Sequence, residues 1–279
     1  GSLLLLIGIL GLSLQAGTFD IQALAEHTYS QNSEFWIFLA LFLGFAIKLP
    51  MLPFHTWLPD AHSEAPTAGS VLLAGVLLKM GGYGLIRFSL PIFPEMAHSF
   101  APVVLWMSVT AILYGGYMAL AQTDLKRLVA YSSVSHMGFV TLGIFSFNNE
   151  GVEGAILQMV THGLTTGAMF LIVGQLYDRT HSREIADYGG LQQRMPRFVA
   201  ILSLFAVASF GRPTTSNFIG EFLILVGVSY ENFIFVALAM GGIVLGAAYM
   251  LWMLQRVAFG QPRTEAASKL TDLNVREML

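Results

Sequence analysis

The stretch GFAIKLPMLPFHTWLPD, residues 44–60, places a cation and three prolines at the end of an apolar run. Lys48 follows a series of apolar side chains, and Pro50, Pro53 and Pro59 come soon after it. A proline inside a helix lacks the backbone N–H that the helix uses, and its ring clashes with the turn before it. The stretch therefore predicts an apolar helix that is broken next to a lysine.

The composition around this stretch is typical of a membrane protein. Of the 279 residues, 55% are hydrophobic and 11% are charged, and the mean hydropathy is +0.66. A soluble domain carries about a quarter charged residues. Here the 14 Lys and Arg and the 17 Asp and Glu residues are confined to short islands between apolar runs. Each apolar run is a candidate for a helix in the bilayer, where backbone polar groups must be satisfied internally.

The absence of cysteine excludes several kinds of site. Thiolate-held iron–sulfur clusters, cysteine-based zinc sites, disulfides and cysteine nucleophiles all require this residue. The net charge of -3, without a basic patch interleaved with aromatic residues, gives no indication of nucleic-acid binding. Any redox chemistry would therefore have to lie outside this chain.

Apolar segments recur along the whole chain. Most reach the roughly 17–25 residues that a helix needs to cross a bilayer, but the first is too short and resembles the tail of a longer helix. We predict an all-α polytopic membrane protein with about seven to eight transmembrane helices. The transmembrane domain is predicted over 1–255 and a polar cytoplasmic or interfacial tail over 256–279. The segments are 3–14, 35–50, 69–90, 100–121, 128–146, 153–177, 198–226 and 232–255.

Lys and Arg residues are distributed unequally between the two sets of predicted loops. The loops at 15–34, 91–99, 147–152 and 227–231 contain none. Because loops rich in Lys and Arg stay on the cytoplasmic side, the other set is predicted to face the cytoplasm or its equivalent. That set carries Lys126, Arg127, Arg179, Arg183, Arg194, Arg197, Arg256, Arg263, Lys269 and Arg276.

Two lysines fall within apolar segments, where a charge costs about 2.5–3.5 kcal/mol even on a lenient insertion scale. For Lys48 the alternative is a side chain that snorkels from a helix end. However, a broken helix is tolerated at membrane depth only where it is buried in protein or lines a wet cavity, so we interpret Lys48 as a site. Lys79 lies among glycines that allow close helix packing, and it is predicted to point into the bundle.

A second broken helix is predicted in GRPTTSNFIGEF, residues 211–222. Gly211 and Pro213 interrupt an apolar run shortly before Glu221, and an intramembrane carboxylate is by default a functional residue. A continuous helix would hold Arg212 about 13.5 Å from Glu221 along its axis. An unwound break could bring the two together, in which case Arg212 would keep Glu221 ionised; alternatively, Arg212 would disrupt a proton path.

Two histidines lie in otherwise apolar helices, His136 beside a group of serines and His162 within a polar stripe. Hydrogen bonding between helices is one explanation of the stripe, and a metal site is disfavoured because the ligand spacing is absent. A hydrated proton path accounts for both histidines together. The stripe consists of Gln158, Thr161, His162, Thr165 and Thr166, which recur at helical spacing.

Three blocks of the sequence resemble one known family. They are KLPMLPFHTWLPDAHSEAPTAGSVLLAGVLLKMGGYGLIRF, LAQTDLKRLVAYSSVSHMGFV and QMVTHGLTTGAMFLIVGQLYDR. They are similar to the antiporter-like, proton-pumping membrane subunits of respiratory complex I, NADH:quinone oxidoreductase, and specifically to the M-type (NADH dehydrogenase subunit M). The resemblance covers nearly all of the chain from about residue 35 onward. It implies two inverted five-helix repeats, each with one discontinuous helix, and a row of charged residues joining two half-channels.

The resemblance also implies roles in proton transfer for five residues. Lys48 matches the lysine of the first broken helix, and Lys79 matches the lysine of the next helix. His136 and His162 match the relay histidines. Glu221 matches the carboxylate of the second broken helix, where the similar L-type and N-type subunits carry lysine.

The resemblance further implies that the chain is a translocase subunit without a cofactor or metal of its own. Flavin, iron–sulfur clusters and quinone would belong to partner subunits, and L-type and N-type subunits would be its neighbours in a bacterial inner membrane or an organelle equivalent. Full-length relatives have more helices at both ends, so we expect this chain to be a fragment. We also expect an upstream helix to carry the glutamate that pairs with Lys48.

Three other classes fit the same residues. They are a subunit of a multi-subunit sodium/proton antiporter, a subunit of a hydrogenase-linked complex, and an inert structural membrane fragment. Sodium-dependent proton flux without quinone would indicate the sodium/proton antiporter. Neighbouring genes for a nickel enzyme would indicate the hydrogenase-linked complex. Normal proton pumping by the Lys48→Ala variant would indicate the inert structural fragment. A unit charge about 6 Å from a desolvated lysine, at an effective dielectric constant near 20, changes its protonation equilibrium by roughly 2.8 kcal/mol. Electrostatics alone is therefore large enough to load and unload Lys48 with a proton.

Overall fold

Helices dominate the computed structural model, which describes residues 1–264, 267, 270–274 and 277. Within these ranges the only strand-like pairing is an isolated bridge between Asp124 and Glu184. The predicted all-α fold is confirmed. The principal helices are α1 (Ser2–Ala16), α2 (Ile21–Glu26), α3 (Gln31–Lys48), α4 (Trp57–Glu64), α5 (Thr67–Ile92), α6 (Pro94–Ala121), α7 (Leu125–Ile144), α8 (Asn149–Thr180), α9 (Pro196–Ser209), α10 (Ser216–Ser229) and α11 (Phe233–Ala258).

Four of these helices, α5, α6, α8 and α11, are long and apolar enough to cross a membrane. Helices α1, α9 and α10 are shorter apolar helices, while α3 and α7 contain 18 and 20 residues. Each apolar segment predicted from the sequence coincides with a helix, and the segment 198–226 is divided between α9 and α10. The chain is therefore a multi-pass membrane protein.

Helix α7 lies at the centre of the bundle, packed by α4, α6, α8 and α10. Glycines permit the closest approach of α6 and α7. A Cβ atom at Gly115 would lie 2.7 Å from the backbone nitrogen of Ser135, and one at Gly138 would lie 2.9 Å from the carbonyl oxygen of Ser108. Because its polar residues face other helices, α7 exposes none of its serine and histidine side chains to lipid.

The first predicted break is confirmed between α3 and α4. Helix α3 ends at Lys48, and regular helix resumes only at Trp57. The indole nitrogen of Trp57 donates a 2.9 Å hydrogen bond to the carbonyl oxygen of Ile47. That contact satisfies one of the carbonyl groups that the break leaves without a partner in the helix. A Cβ atom at Gly81 of α5 would lie 2.9 Å from the backbone nitrogen of Leu49, so α5 packs directly on the break.

The second predicted break is confirmed between α9 and α10, at residues 210–215. Gly211 has a φ angle of 71°, the left-handed conformation that glycine adopts at little cost. A Cβ atom there would collide with the carboxylate of Glu221. The Asn217 side chain donates a 3.2 Å hydrogen bond to the carbonyl oxygen of Ser209, at the end of α9. The break thus brings the start of α10 back against α9.

The C-terminal residues hold the ends of two helices. Asp272 accepts hydrogen bonds from the backbone nitrogens of Arg197 and Phe198, at 3.0 and 3.2 Å, and so caps the start of α9. Arg179, near the end of α8, contacts both carboxylate oxygens of Glu277 at 2.7 and 2.8 Å. The division at residue 255 remains a prediction. Lys269 and Arg276 of the predicted cytoplasmic cations lie outside the described residues.

Candidate site: a buried row of ionisable side chains

Four helices, α5, α7, α8 and α10, bring the site residues together in the middle of the bundle. The polar stripe of α8 faces α7 and α10, and all of its members are buried. His136 lies midway along α7, and Glu221 lies shortly after the break that begins α10. Because of this break, α9 and α10 do not form one continuous helix, and the Glu221 carboxylate can approach α7 and α8.

Lys79 forms one end of the row. Its Nζ atom lies 2.8 Å from Nδ1 of His162 and also donates to the carbonyl oxygen of Ala74. The lysine follows a π-helical segment of α5, Leu73–Leu77. Such segments widen a helix locally and are frequent at functional sites. A Cβ atom at Gly163 would lie 2.8 Å from the carbonyl oxygen of Gly75, so glycines let α5 and α8 approach closely beside this pair.

The two histidines connect this end with the carboxylate. The rings of His162 and His136 lie 5.4 Å apart between centroids, with an angle of 61° between their planes. Nδ1 of His136 lies 3.1 Å from Oε1 of Glu221. The Gln158 amide donates to the same carboxylate oxygen at 3.2 Å and also lies 3.4 Å from Nδ1 of His136. The row is therefore Lys79, His162, His136 and Glu221, with Gln158 bridging its far end.

Because the row is buried, its charge state strongly affects its free energy. The residue exposure is 0% for His162, 4% for His136 and 2% for Glu221. Two positive charges on the histidines, about 5.4 Å apart, would repel by roughly 3 kcal/mol at an effective dielectric constant near 20. The row can therefore carry a proton at one position or another, but not several protons at neighbouring positions without cost.

Several polar atoms of the row have no hydrogen-bond partner among the described residues. A buried polar group without a partner costs free energy, and such groups mark sites that ordered water or a transient proton carrier completes. Each atom is the second polar position of a residue whose first position is bonded within the row. The atoms are Nε2 of His136 and His162, Oε1 of Gln158 and Oε2 of Glu221.

Lys48 does not join the row. Its half-buried side chain lines a separate cavity of about 290 Å³, together with Trp57, Leu73 and the first residues of the chain. Among the described residues it has no hydrogen-bond or ion-pair partner. The structure thus brings together four of the five predicted site residues and leaves the fifth at the first break.

Arg212 is not paired with Glu221. Its side chain is exposed, and its carbonyl oxygen accepts hydrogen bonds from the backbone and hydroxyl groups of Thr215, at 2.9 and 2.8 Å. His136 occupies the position beside the carboxylate that a paired arginine would take. The possibility that the break brings Arg212 to Glu221 is therefore wrong for this structure, because the turn at 210–215 directs the arginine outward.

The buried ionisable residues that were not singled out from the sequence include His62 and Lys126. Lys126 is 3% exposed and His62 is 0% exposed. Both lie in polar stretches of sequence, DAHSE and TDLKRL, where a charged residue resembles part of a solvated loop. Among the described residues, no group of three His, Asp or Glu side chains is arranged to hold a metal ion.

A bundle with two broken helices and a buried row of lysine, histidine and glutamate defines an antiporter-like membrane protein. The chain belongs to the proton antiporter M family, described as NADH:quinone oxidoreductase/Mrp antiporter, transmembrane, which matches residues 1–246. The resemblance recognised in the sequence is confirmed.

Individual relatives cover the chain almost completely. It is 49% identical to NADH-quinone oxidoreductase subunit M of Rhodobacter capsulatus, over 99% of this chain and 57% of that protein. It is 50% identical to NADH-ubiquinone oxidoreductase chain 4 of Marchantia polymorpha, over 100% of this chain and 56% of that protein. The chain thus spans about half the length of the curated relatives it matches.

Solved structures match the fold equally well. A chain in the structure of respiratory complex I from Thermus thermophilus with bound NADH superimposes with a TM-score of 0.92 and 36% identity, covering 99% of this chain and 59% of that one. A chain of the Mrp complex from Dietzia sp. DQ12-45-1b gives a TM-score of 0.84 at 24% identity, covering 94% and 49% of the two chains. The second likeness shows the shared fold alone.

Proposed function

We propose that this chain is part of a proton-translocating membrane-arm subunit of NADH:quinone oxidoreductase. Quinone reduction elsewhere in the complex would drive proton transfer through it. The observation that carries the proposal is the buried row from Lys79 to Glu221, whose contacts of 2.8 and 3.1 Å are within proton-transfer range. The named relatives of complex I support the same conclusion.

Proton transfer along the row follows from its geometry. Lys79 passes a proton to Nδ1 of His162, and the lysine becomes neutral. His162 then passes a proton to His136, across a gap that requires ring rotation or an intervening water, because the centroids are 5.4 Å apart. His136 delivers the proton to Glu221, which holds it as a neutral carboxylic acid until release.

Electrostatic repulsion gives this sequence its order. Adding a second proton to Lys79 and His162 while the first remains on His136 costs free energy, because neighbouring buried charges repel. Protonation of Glu221 removes the negative charge beside His136. Each transfer thus changes the proton affinity of the next group, and a change at one end of the row reaches the other without large movements of the helices.

The role of Lys48 remains a proposal that rests on the family resemblance. We propose that it is the proton carrier at the first break and that its charge is set by a glutamate of the full-length protein.

In this proposal the chain itself carries out no redox chemistry. Flavin, iron–sulfur clusters and quinone would lie in partner subunits, and L-type and N-type antiporter-like subunits would adjoin this one in the lipid bilayer. The membrane would be a bacterial inner membrane or an organelle equivalent. Activity of the chain as an enzyme would therefore exist only within the assembled oxidoreductase.

The proposal is tested by substituting Glu221 in the full-length protein within the intact complex. Glu221→Gln keeps the size of the side chain and its contact with Gln158 but cannot exchange a proton. We expect proton pumping per NADH oxidised to fall severalfold. Glu231→Gln, which removes an exposed carboxylate just beyond α10, is the matched control and should pump normally. Equal pumping by both variants would contradict the proposal.

A sodium/proton antiporter is the second candidate, because the matching family includes Mrp antiporters and the fold of the Mrp complex superimposes on this chain. Proton flux that depends on sodium and persists without quinone would favour it. The higher identity to oxidoreductase subunits favours the first candidate. Proton flux that is unaffected by every substitution in the row would instead indicate a structural role.

A further inference from the structure

Asn217 is a buried polar residue of α10 that the proposed proton transfer does not use. It lies one helical turn before Glu221, and the two residues are 0% and 2% exposed. Residues four apart on a helix share a face, whereas Ile219, which lies between them in sequence, is 53% exposed. The buried face of α10 thus carries an amide next to the carboxylate of the row.

The Asn217 amide links three helices at the second break. Its Nδ2 atom donates to the carbonyl oxygen of Ser209, the last residue of α9, at 3.2 Å and lies 3.5 Å from Oγ1 of Thr165 in α8. Ser209 is 1% exposed, and the last carbonyl groups of a helix have no partner within it. The amide therefore satisfies a buried carbonyl group and joins α8, α9 and α10 through one side chain.

The start of α10 has no side-chain cap of its own. Thr215 precedes the helix, but its hydroxyl donates backward to the carbonyl oxygen of Arg212 at 2.8 Å and does not accept from the first backbone nitrogens of α10. A helix start without a capping side chain is less stable. Because Glu221 lies in the second turn of α10, the contacts that hold the first turn determine where its carboxylate lies.

Glycines bring α10 against α8 without interlocking the two helices. A Cβ atom at Gly154 would lie 2.7 Å from the backbone nitrogen of Ile224, and one at Gly220 would lie 3.0 Å from that of Gln158. Small residues allow this close approach, but they supply no side chains that fill grooves and oppose rotation. Polar contacts near the two ends of α10 are therefore needed to fix its orientation on α8.

A second asparagine holds the opposite end of α10. Nδ2 of Asn148 donates to the carbonyl oxygen of Gly227 at 2.8 Å, and its Oδ1 accepts from the backbone nitrogen of Gly151 at 2.9 Å, at the start of α8. Gly227 lies six residues beyond Glu221, about 9 Å along the helix axis. The two asparagines thus make contacts of the same chemistry at opposite ends of one helix, and of the two, Asn217 lies beside the row.

Packing alone does not require an amide at position 217. A leucine has a similar branched shape and would occupy a buried position without removing an amide from water. The amide is costly here, because its Oδ1 atom has no hydrogen-bond partner among the described residues. What the amide adds at this position is the pair of contacts made by Nδ2.

We propose that Asn217 is a positioning residue for proton transfer, which holds the first turn of α10 so that Glu221 stays within reach of His136. The inference rests on the proposed function. Asn217 itself neither gives nor takes the proton. Without its amide the first turn frays or rotates, and the 3.1 Å contact between Glu221 and His136 lengthens. Proton transfer between these two residues then slows, because it requires a hydrogen-bond distance.

The first test removes each asparagine in the full-length protein within the intact complex. Asn217→Ala should lower the ratio of protons moved per NADH oxidised severalfold, while NADH oxidation in the presence of an uncoupler continues. Asn148→Ala is the matched control, and it should lower the melting temperature of the complex but leave the ratio unchanged. An unchanged ratio in Asn217→Ala, or equal losses in the two variants, would overturn the proposal.

Asn217→Leu separates positioning from packing. Leucine fills the space that alanine leaves empty but cannot donate a hydrogen bond, so the ratio should be as low as in Asn217→Ala. A ratio restored to that of the unsubstituted complex would show that only volume matters and would overturn the proposal. The ratio counts protons moved by assembled complexes alone, so poorer assembly of a variant does not mimic the expected loss.

The second test reports on Glu221 directly. A protonated carboxyl group gives an infrared band whose frequency depends on its hydrogen bonds, and the band of Glu221 is the one that disappears from the NADH-induced difference spectrum in Glu221→Gln. We expect Asn217→Ala to shift this band and Asn148→Ala to leave it in place. A band at the unsubstituted frequency in both asparagine variants would overturn the proposal.

Failure of this inference is distinguishable from failure of the proposed function. A normal ratio in Asn217→Ala together with a lowered ratio in Glu221→Gln would reject only the positioning role. Normal ratios in both variants would reject the proposed function as well.

Discussion

The two broken helices place their ionisable residues in different surroundings. At the second break, Glu221 is buried, and its Oε1 atom contacts His136 and Gln158 of the described chain. At the first break, Lys48 is half-buried beside a cavity, without a partner among the described residues. Similar interruptions of an apolar helix thus produce a site with bonded partners at Glu221 and an open site at Lys48. A broken helix positions a charge, but neighbouring helices determine what that charge can do.

The largest expected effect lies at the open site. Lys48→Ala, in the full-length protein within the intact complex, should abolish most NADH-driven proton pumping if Lys48 is a proton carrier. Lys48→Arg should fail as well, because a guanidinium does not release its proton in proteins. Proton uptake by membrane vesicles measures both variants. Arg87→Gln, which removes an exposed cation of α5, serves as the control; near-normal pumping by Lys48→Ala would leave this break without a functional role.

The second prediction separates the two charges of the second break. Arg212 is exposed and Glu221 is not, so Arg212→Leu should leave pumping within about 20% of normal while Glu221→Gln lowers it severalfold. Proton flux measured side by side for the two variants decides the matter. Losses of equal size would mean that Arg212 acts on the row in a conformation that this structure does not contain.

The third prediction concerns the backbone of the second break. Gly211→Ala introduces both a left-handed alanine and a collision with the Glu221 carboxylate, so we expect it to lower the free energy of unfolding by about 2–4 kcal/mol. Gly17 is the matched control, since its φ angle is 68° but a Cβ atom there would meet no neighbour within 4 Å. Gly17→Ala should cost about 1 kcal/mol.

Thermal unfolding of the purified complex compares the two glycine variants directly. Equal losses would show that backbone conformation alone matters and that the carboxylate has room to move. A larger loss at Gly211 would support a tightly packed second break.

The smallest effect is expected at the start of α9, the first half of the second broken helix. Burial raises the pKa of Asp272, but hydrogen bonds from the backbone nitrogens of Arg197, Leu273 and Phe198 outweigh it, and the pKa lies below its ordinary value. The cap therefore stabilises the fold fully above the ordinary carboxylate pKa of about 3.9 and is lost as pH falls through the lower folded value.

Asp272→Asn should remove this dependence on pH at a cost of about 0.5–1 kcal/mol near neutral pH. Melting temperatures recorded at about pH 6 and pH 3 test it. The difference between the two proteins should shrink at the lower pH. A difference that grows on acidification would contradict the capping role.

The sequence predicted the architecture well because membranes impose strong constraints on helices. Runs of apolar residues marked the helices, and prolines with Gly211 marked both breaks. The residues of the row were recognised individually, since a lysine, a histidine or a glutamate in an apolar helix is costly unless it has a function. Their contacts could not be predicted, because the approach of α7, α8 and α10 depends on packing between segments far apart in the chain.

Other features escaped prediction for physical reasons. Arg212 is close to Glu221 in sequence, but the turn conformation at 210–215 directs it outward, and that conformation is not encoded by spacing alone. Lys126 and His62 lie in polar stretches, so composition indicated solvent. Their burial results from the packing of α4 against α7 and from the stacking of the His62 ring on Phe170 of α8, which are tertiary properties.

The ratio of protons moved per NADH oxidised, measured for His162→Gln in the intact complex, tests the central claim most directly. Glutamine preserves a polar contact with Lys79 but cannot take up and release a proton, so it interrupts the row at its middle without removing a hydrogen-bonding group. The buried row predicts that the ratio falls while NADH oxidation in the presence of an uncoupler continues. A ratio equal to that of the unsubstituted complex would contradict the claim that protons pass from Lys79 to Glu221 through the histidines.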